Sequence, residues 1–395
     1  MESACAIQRS DVHCDDQPDS VAIRTRLQAE AHRYFGDLSG DTVHVDLSHV
    51  GHNKTSTMYE FQLRGSRQEH AVFVKVRHLW PTLPENSRAV VKPSIDRSWL
   101  DWVASGEERS YQEYAALSAV YDSFTRLNDS RLLAVRPLDC FRDVPALISA
   151  KLQSDQLKRL FLRQMWRGGA RELAALQTAF SHAGAWLREM HRMQPLEYTK
   201  TRDTSRDEFI ENTRRLVEFL RRVHGRCRFL RSAADRIAAM AQTGLPDQLP
   251  TGLLHGDYAP RNVLVDGEGR VAGCDTRACY YGPVYEDIAC FLVLLERDSP
   301  LFIAAGFGPR SKRTTALREA FLQGYFGDDP VPHEAIRLFE LQLTFERWAQ
   351  GMMGYYQSTG ARRLAKRCRL TVLCHLFLGI ARRLIEDIQQ INGER

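Results

Sequence analysis

LLHGDYAPRNVLVDGEGRVAGCDTRACYYGPVYEDIA, residues 253–289, sets His255, Asp257, Asn262 and Asp275 among apolar, strand-like residues. Each of these polar groups is costly to desolvate unless something pairs with it. "NVLV" and "RVAGC" have strand composition, and the "DGEG" between them is a strong hairpin turn. A hairpin returns the chain beside its own start, so Asn262, before the first strand, comes near Asp275, after the second. Antiparallel neighbours lie about 5 Å apart, which lets the oxygens of these two residues converge on one hard cation.

Mg²⁺ takes oxygen ligands in a compact octahedron and is commonly held by one or two protein groups plus substrate phosphates. Asp257 stands five residues before Asn262 on a loop that must turn at Gly256 and Pro260. It faces the same site from outside the hairpin. A carboxylate near the metal but not committed to it is what phosphoryl transfer needs to orient a hydroxyl and take its proton. Asp and Asn beside a hairpin also cap turns through their own backbone, and any one of these residues alone could be doing only that. The three together, in this order and spacing, favour chemistry.

The rest of the chain supplies two contrasting halves. At 395 residues it exceeds what one hydrophobic core usually fills, so two or more lobes are expected. With 44% hydrophobic and 26% charged residues it reads as an ordinary globular protein. The 54 Lys+Arg against 49 Asp+Glu give a formal charge of +5, which suits an anionic ligand such as a nucleotide and is too slight to argue for nucleic acid. Nine scattered cysteines, without a CxxC pair, point to neither a disulfide framework nor a zinc site. They fit a reducing, cytoplasmic compartment. The first residues lack the basic start and apolar block of a secretory signal, and "LTVLCHLFLGIA" at 370–381 is too short to span a bilayer.

Residues 1–20 read as a loose polar tail, followed by the helical "VAIRTRLQAEAHRYFG". "TVHVDLS", "STMYEFQLRG" and "EHAVFVKVRH" then read as three antiparallel strands, "GEERSYQEYAALSAVYDSF" (106–124) as a helix, and "LLAVRPLDCF" and "PALISAKL" as two further strands. Beyond about residue 150 the pattern is helical apart from 253–289. The expected class is α+β: a β-rich lobe over 21–150 and a mostly helical lobe over 151–395.

"HGDYAPRN" followed by "GCDTRACYYGPVYEDIA" resembles the aminoglycoside phosphotransferase and choline kinase-like family, which shares the bilobal protein-kinase-like fold. The D-x-x-x-x-N spacing also matches the kinase catalytic loop. The resemblance implies that Asp257 is the catalytic aspartate and that Asn262 and Asp275 are metal ligands. It also implies that His255 and Asp287 brace the catalytic loop by hydrogen bonds. Thr276 departs from the aromatic residue usual after the metal aspartate. In "VGHNKTSTMYEF" the resemblance marks Gly51, Asn53, Thr55 and Ser56 as covering the nucleotide phosphates. Lys75, opposite Val74 and Val76 on its strand, would reach the phosphates of ATP and pair with a helix glutamate: Glu113, with Glu107 and Glu108 as rivals. "PALISAKLQSDQL" resembles the strand that grips adenine, near Ala150 and Leu152, although Ala150 and Lys151 stand where an acidic residue is usual.

These implications amount to an ATP- and Mg²⁺-dependent phosphotransferase acting on a hydroxyl of a small molecule. Its acceptor would sit by the C-terminal helices, where "ARRLAKRCRL" and "ARRLIED" are rich in arginine. That charge disfavours a polycationic aminoglycoside and favours a neutral or anionic hydroxylated compound such as a sugar or glycoconjugate precursor. Trp348, Met352, Met353 and Tyr355 are candidates to line the acceptor pocket, against the commoner reading of such a stripe as core. Residues 361–388 could form a basic amphipathic helix touching anionic lipid, against the reading of a packed helix with a solvated face. The alternatives are an aminoglycoside phosphotransferase, a non-catalytic nucleotide-binding module of the same fold, and a nucleotidyl transferase.

Overall fold

The computed structural model describes residues 18–52, 56–77, 106–167, 169–224, 227–298, 311–356 and 360–393. The chain forms two compact units: described residues up to 77, 106–128 and 134–153 make one, and 129–133 with 154 onward make the other.

The first unit is an antiparallel sheet backed by helices. Helix α1 (Pro18–Tyr34) starts three residues earlier than the expected tail would allow. Its apolar residues Ile23, Leu27 and Ala31 recur every four positions, so they share one face. That face is buried against Tyr59, Phe61, Leu63, Val72 and Val74. These come from alternate positions of β2 (Ser56–Arg64) and β3 (Glu69–Arg77), which follow β1 (His44–His52). Helix α2 (Gly106–Leu127) then leads into "LLAVRPLDCF", expected as a single strand. The structure divides it. β4 (Leu132–Ala134) joins a sheet of the other unit, while β5 (Pro137–Phe141) joins this one. The proline explains the break, because it offers no N–H to a ladder and is tolerated only where a strand begins or at an edge. With β6 (Ala146–Ala150) the sheet order is β1-β2-β3-β6-β5, which leaves β3 in the centre.

The second unit is mainly helical. β7 (Ser154–Gln156) precedes α3 (Leu157–Arg167) and α4 (Ala170–His191). β8 (Lys200–Thr201) precedes α5 (Arg206–His224) and α6 (Arg228–Gly244). The strands β7 and β8, three and two residues long, were not expected; they are too short to show a period of two. β9 (Thr251–Leu254), β10 (Val263–Asp266), β11 (Val271–Gly273) and β12 (Tyr280–Pro283) occupy the opening stretch. They lie in two small sheets, β4-β11-β10-β7 and β8-β12-β9. Among the described residues, four helices close the unit: α7 (Tyr285–Asp298), α8 (Lys312–Phe326), α9 (His333–Tyr356) and α10 (Gly360–Gly393).

An aromatic column runs through this core. Trp186 stacks on Tyr258 at 5.6 Å, Tyr258 on Phe291 at 5.5 Å, and Phe291 on Phe321 at 4.0 Å. The Tyr258 hydroxyl donates to Ala183 O (2.8 Å), and the Trp186 indole donates to Leu133 O (2.9 Å). Both polar ends of the column are thereby satisfied inside the core. Because Tyr258 follows Asp257 directly, the column pins the loop that carries Asp257 to α4, α7 and α8.

Two readings of the C-terminal helices change. Trp348 and Met352 are buried core: the Trp348 indole donates to Cys374 Sγ at 3.2 Å, and Met352 lies against the same thiol. They therefore seal α9 to α10 rather than line a pocket. The side chains of Met353 and Tyr355 lie outside the described residues. Along α10, Leu376, Ile380, Ala381, Leu384, Ile385 and Ile388 are buried, and Arg383 is paired with Glu296 (2.8 Å). Over 374–388 the apolar face is thus packed inside the unit instead of being offered to lipid. Among the described residues no helix is long and apolar enough to cross a membrane.

Helices α4 and α8 approach closely at Gly184 and Gly324. A methyl group on Gly184 would run into the backbone of Phe321, and one on Gly324 into the backbone of Ser181. Neither backbone can yield without separating the helices. Gly184→Ala should therefore destabilise the protein by about 1–3 kcal/mol, read as a lower midpoint of thermal or urea unfolding.

Candidate active site

The loop after β9 owes its shape to one carboxylate. Asp287, in the first turn of α7, accepts the backbone amides of His255 (2.6 Å) and Gly256 (3.0 Å) and the Nε2–H of His191 (3.2 Å). His191 in turn accepts at Nδ1 from the Tyr325 hydroxyl (2.8 Å). Gly256 needs its residue type, since its φ of +82° is rarely adopted by side-chain-bearing residues. Burial alone would raise the Asp287 carboxyl; the hydrogen bonds from His191 and from the backbone amide of His255 outweigh it and hold the carboxyl below its ordinary value.

His255 is fully enclosed. Its Nε2 lies 3.1 Å from Cys274 O, and its Nδ1 accepts the Asp257 amide at 3.4 Å. This arrangement fixes a neutral ring with the hydrogen on Nε2. Burial depresses the imidazole pKa, against the opposing pull of Asp287, Asp257 and Asp275. Three carboxylates therefore surround the ring, and two of them are the predicted catalytic and metal aspartates.

Asp257 is held from both sides. Arg261 Nη2 donates to its Oδ1 and Oδ2 at 2.7 and 2.8 Å. Asn262 Nδ2 donates to its carbonyl at 2.8 Å and to its Oδ2 at 3.2 Å. Each carboxylate oxygen carries two lone pairs, so Asp257 keeps an acceptor site on Oδ1 for an incoming hydroxyl. The sequence reading missed Arg261. The signal was its position four residues after Asp257, one turn away on the 3₁₀ segment Pro260–Asn262.

The β10–β11 hairpin registers Val263 opposite Gly273, and the Cys274 amide donates to Asn262 O at 2.9 Å. Asn262 thus sits across from Cys274, with Asp275 next along the chain in the left-handed region (φ 60°). Both amide hydrogens of Asn262 are committed to Asp257, which leaves its carbonyl oxygen as the free function. One carboxylate and one amide oxygen, with neither thiol nor imidazole, form a donor set for a hard cation. Among the described residues no three or more His, Cys, Asp or Glu gather into a metal cage. Asn262 and Asp275 would be the residues to hold Mg²⁺, an ion that leaves most of its positions to phosphates and water.

In the first unit Lys75 lies on the central strand β3, only 7% exposed, and its Nζ pairs with Glu113 Oε1 at 2.6 Å. Arg77 grips the other oxygen of Glu113. Glu108 meets Gln112 (3.4 Å), and the side chain of Glu107 lies outside the described residues. Ser56 is fully buried at the start of β2. Asn53 and Thr55 lie outside the described residues. The amide of Ala150 donates to Arg136 O and that of Lys151 to Ala71 O, both at 2.9 Å. Any adenine contact at Ala150 therefore cannot use its amide. Lys151 is itself taken up by Glu60 (2.5 Å), and Leu152 follows it, half-buried.

Two outcomes follow from the second unit. Because the His255 pKa is depressed, the unfolded chain takes up a proton below about pH 6.5 that the folded chain refuses. His333 is depressed by burial as well and adds to the effect. Asp287, also depressed, begins to contribute below about pH 4. Stability should be level near pH 7–8, decline by several degrees of melting temperature toward pH 5, and decline faster below pH 4. A His255→Asn variant should show a shallower slope between pH 7 and 5. Separately, the Thr276 hydroxyl is buried without a hydrogen-bond partner. Thr276→Val should raise stability by about 1 kcal/mol, measured by urea unfolding.

Comparison with known proteins bears on the fold and the family. The sequence profile of the phosphotransferase enzyme family matches residues 102–336. No curated protein sequence matches the chain. Among solved structures, a Ralstonia eutropha protein described as an aminoglycoside phosphotransferase superposes with TM-score 0.55 at 13% identity, covering 91% of this chain and 98% of that one. The Plasmodium vivax ethanolamine kinase superposes with TM-score 0.53 at 14% identity, covering 93% of this chain and 91% of that one. At such identities the likeness speaks for the fold, and the profile, which spans more than half of the chain, speaks for the lineage: the chain belongs to the phosphotransferase enzyme family.

Proposed function

We propose that the protein transfers the γ-phosphoryl group of ATP to a hydroxyl of a small, sugar-like acceptor that is neutral or anionic, with Mg²⁺ bound by Asp275 and Asn262. The observation that carries this reading is Asp257. Its carboxylate is fixed by Arg261 and Asn262 on a loop braced by Asp287, and one oxygen retains an acceptor site. When bound, Mg²⁺ would neutralise charge on the phosphates.

The chain's own part is positioning. Asp257 orients the acceptor hydroxyl at the γ-phosphorus. A bond forms from the hydroxyl oxygen to phosphorus, the bond to the β–γ bridging oxygen breaks, the proton passes to Asp257, and ADP leaves. The hydrogen bonds from Arg261 and Asn262 fix the direction of the Asp257 carboxylate, and a loose transition state, in which the proton moves late, asks of it orientation more than basicity. Lys75, kept in place by Glu113, supplies a cation to the nucleotide phosphates.

The alternative of a regulatory module without turnover is disfavoured by the retention of both aspartates, Asp257 and Asp275. An aminoglycoside acceptor is disfavoured by Arg347 on α9, whose guanidinium has no carboxylate ion pair among the described residues and reaches the Cys290 thiol at 3.8 Å.

Asp257→Asn should lower acceptor-stimulated ADP release by about 10²–10⁴-fold while nucleotide binding persists. Asp275→Ala should abolish Mg²⁺-dependent ATP turnover. Equal slow ATP hydrolysis by wild type and Asp275→Ala would leave the regulatory-module reading standing. Lys75→Met should raise the KM for ATP about tenfold or more, measured in the same coupled assay, and Glu113→Gln should do so in part.

A further inference from the structure

Arg347, on α9, is a guanidinium that the carboxylates of the described residues leave without an ion pair. Its Nη1 donates to the neutral Gln350 Oε1 at 3.1 Å, and its Nη2 reaches the thiol of Cys290 at 3.8 Å. Its Nε is shut off from solvent with no hydrogen-bond partner. Arginines on the same helix and the next behave otherwise: Arg337 pairs with Glu340 (2.9 Å) and Arg383 with Glu296 (2.8 Å). Glu346 and Asp257 are the carboxylates near enough to act on the charge of Arg347, and neither forms an ion pair with it. Withdrawing a guanidinium from water with only neutral partners is expensive, so such a group is best explained by an anion that arrives later.

Its place says which anion. Cys290, which Arg347 touches, packs in one cluster with Ala259 and Leu294, and Leu343, one helical turn before Arg347, packs against that cluster. Ala259 lies between Asp257 and Arg261 in the loop. Arg347 therefore borders the loop that orients the acceptor, in the same unit as Asp257. A planar guanidinium pairs with carboxylate and phosphate oxygens through two parallel hydrogen bonds, which gives direction as well as charge.

The geometry points to Arg347 as the residue that selects an anionic acceptor: a hydroxylated compound that also carries a carboxylate or phosphate group, its oxyanion held by Arg347 and its hydroxyl presented to Asp257. This inference rests on the kinase reading above and narrows its acceptor. The phosphoryl transfer balances as already written, since the oxyanion is bound and not altered. A cationic acceptor such as an amino alcohol or aminoglycoside would meet Arg347 and Arg261 as like charges near the reacting hydroxyl.

The test is ADP release by the full chain with ATP and Mg²⁺ on matched acceptors: glycerol, glycerate and glycerol 3-phosphate; glucose, glucuronate and glucose 6-phosphate; and, as cations, ethanolamine and an aminoglycoside. In at least one set the anionic member should exceed its neutral counterpart in kcat/KM by about thirtyfold or more. Arg347→Gln should erase that advantage through the KM for the anionic acceptor, and Arg347→Lys should restore part of it. The carboxylate and phosphate arms show which oxyanion is taken. Melting curves of each variant identify a misfolded one, in which case Arg347→Lys alone decides: its anion advantage should be smaller than that of wild type.

Preference for a neutral or cationic member overturns the inference. So does an anion advantage unchanged in the variants, or a variant that alters only the KM for ATP. Silence of every acceptor with Asp257-dependent ATP hydrolysis intact overturns it as well and spares the kinase reading. ATP hydrolysis indifferent to both Asp257→Asn and Asp275→Ala defeats the kinase reading, and the inference falls with it.

Discussion

The second unit depends on a carboxylate buried where none would be tolerated alone. Asp287 is 2% exposed, and it is kept charged by three donors: two successive backbone amides and an imidazole that is itself tied to Tyr325. Desolvating a charge in this way is unfavourable unless every lone pair has a partner. The constraint works in the other direction too. Because Asp287 is fixed at the start of α7, the amides of His255 and Gly256 must come to it, and the turn at Gly256 follows. His255 then closes the loop onto the strand segment leading to Asp275, through Cys274 O. A single carboxylate thereby relates the base of the loop that carries Asp257 to the start of the segment that carries Asp275.

Around this brace the candidate site is built from neighbours in sequence. Asp257, Arg261 and Asn262 lie within six residues, and the hairpin returns Cys274 to the side of Asn262 with only nine residues between the paired ends Val263 and Gly273. Local closure of this kind carries little loop entropy. The aromatic column through Trp186, Tyr258, Phe291 and Phe321 then ties the loop to three helices. The chemistry sits on a short segment, and its precision comes from the rigidity of the core behind it.

This division explains what could be read from the amino-acid order. The hairpin, the loop and the α+β class were legible because they rest on signals confined to a few residues: a turn sequence, alternation, and a helical period. The pairing of Lys75 with Glu113 spans 38 residues and was reached only through family resemblance, which left three glutamates open; burial of Glu113 and its capture by Lys75 and Arg77 decide among them. The strand break at Pro137 was a local signal that had been overlooked. β7 and β8 were not legible at all, being too short to carry a pattern. Trp348 and Met352 looked equally suited to a pocket or a core from their spacing, because a helix face does not announce what covers it. α10 covers it, and Cys374 is the contact.

The arginines show the same limit from the chemical side. Their abundance near the C-terminus was visible as composition, yet composition does not distinguish an arginine paired on a helix surface from one held beside a reacting group. Arg383, from the conspicuous "ARRLIED" segment, is neutralised by Glu296. Arg347, from an inconspicuous "FERWAQ", is buried without a carboxylate ion pair among the described residues and borders the Asp257 loop through Cys290 and Ala259. Charge near a catalytic aspartate matters through the difference between what the protein itself pairs and what it leaves for a ligand. Arg261 is used internally, fixing Asp257. Arg347 meets only an amide oxygen and a thiol, and a protein core that pairs Arg337 and Arg383 with carboxylates has the means to pair it as well. Its unmatched charge is consistent with a surrounding shaped for a complex rather than for the free protein, in which the missing oxyanion is part of the substrate.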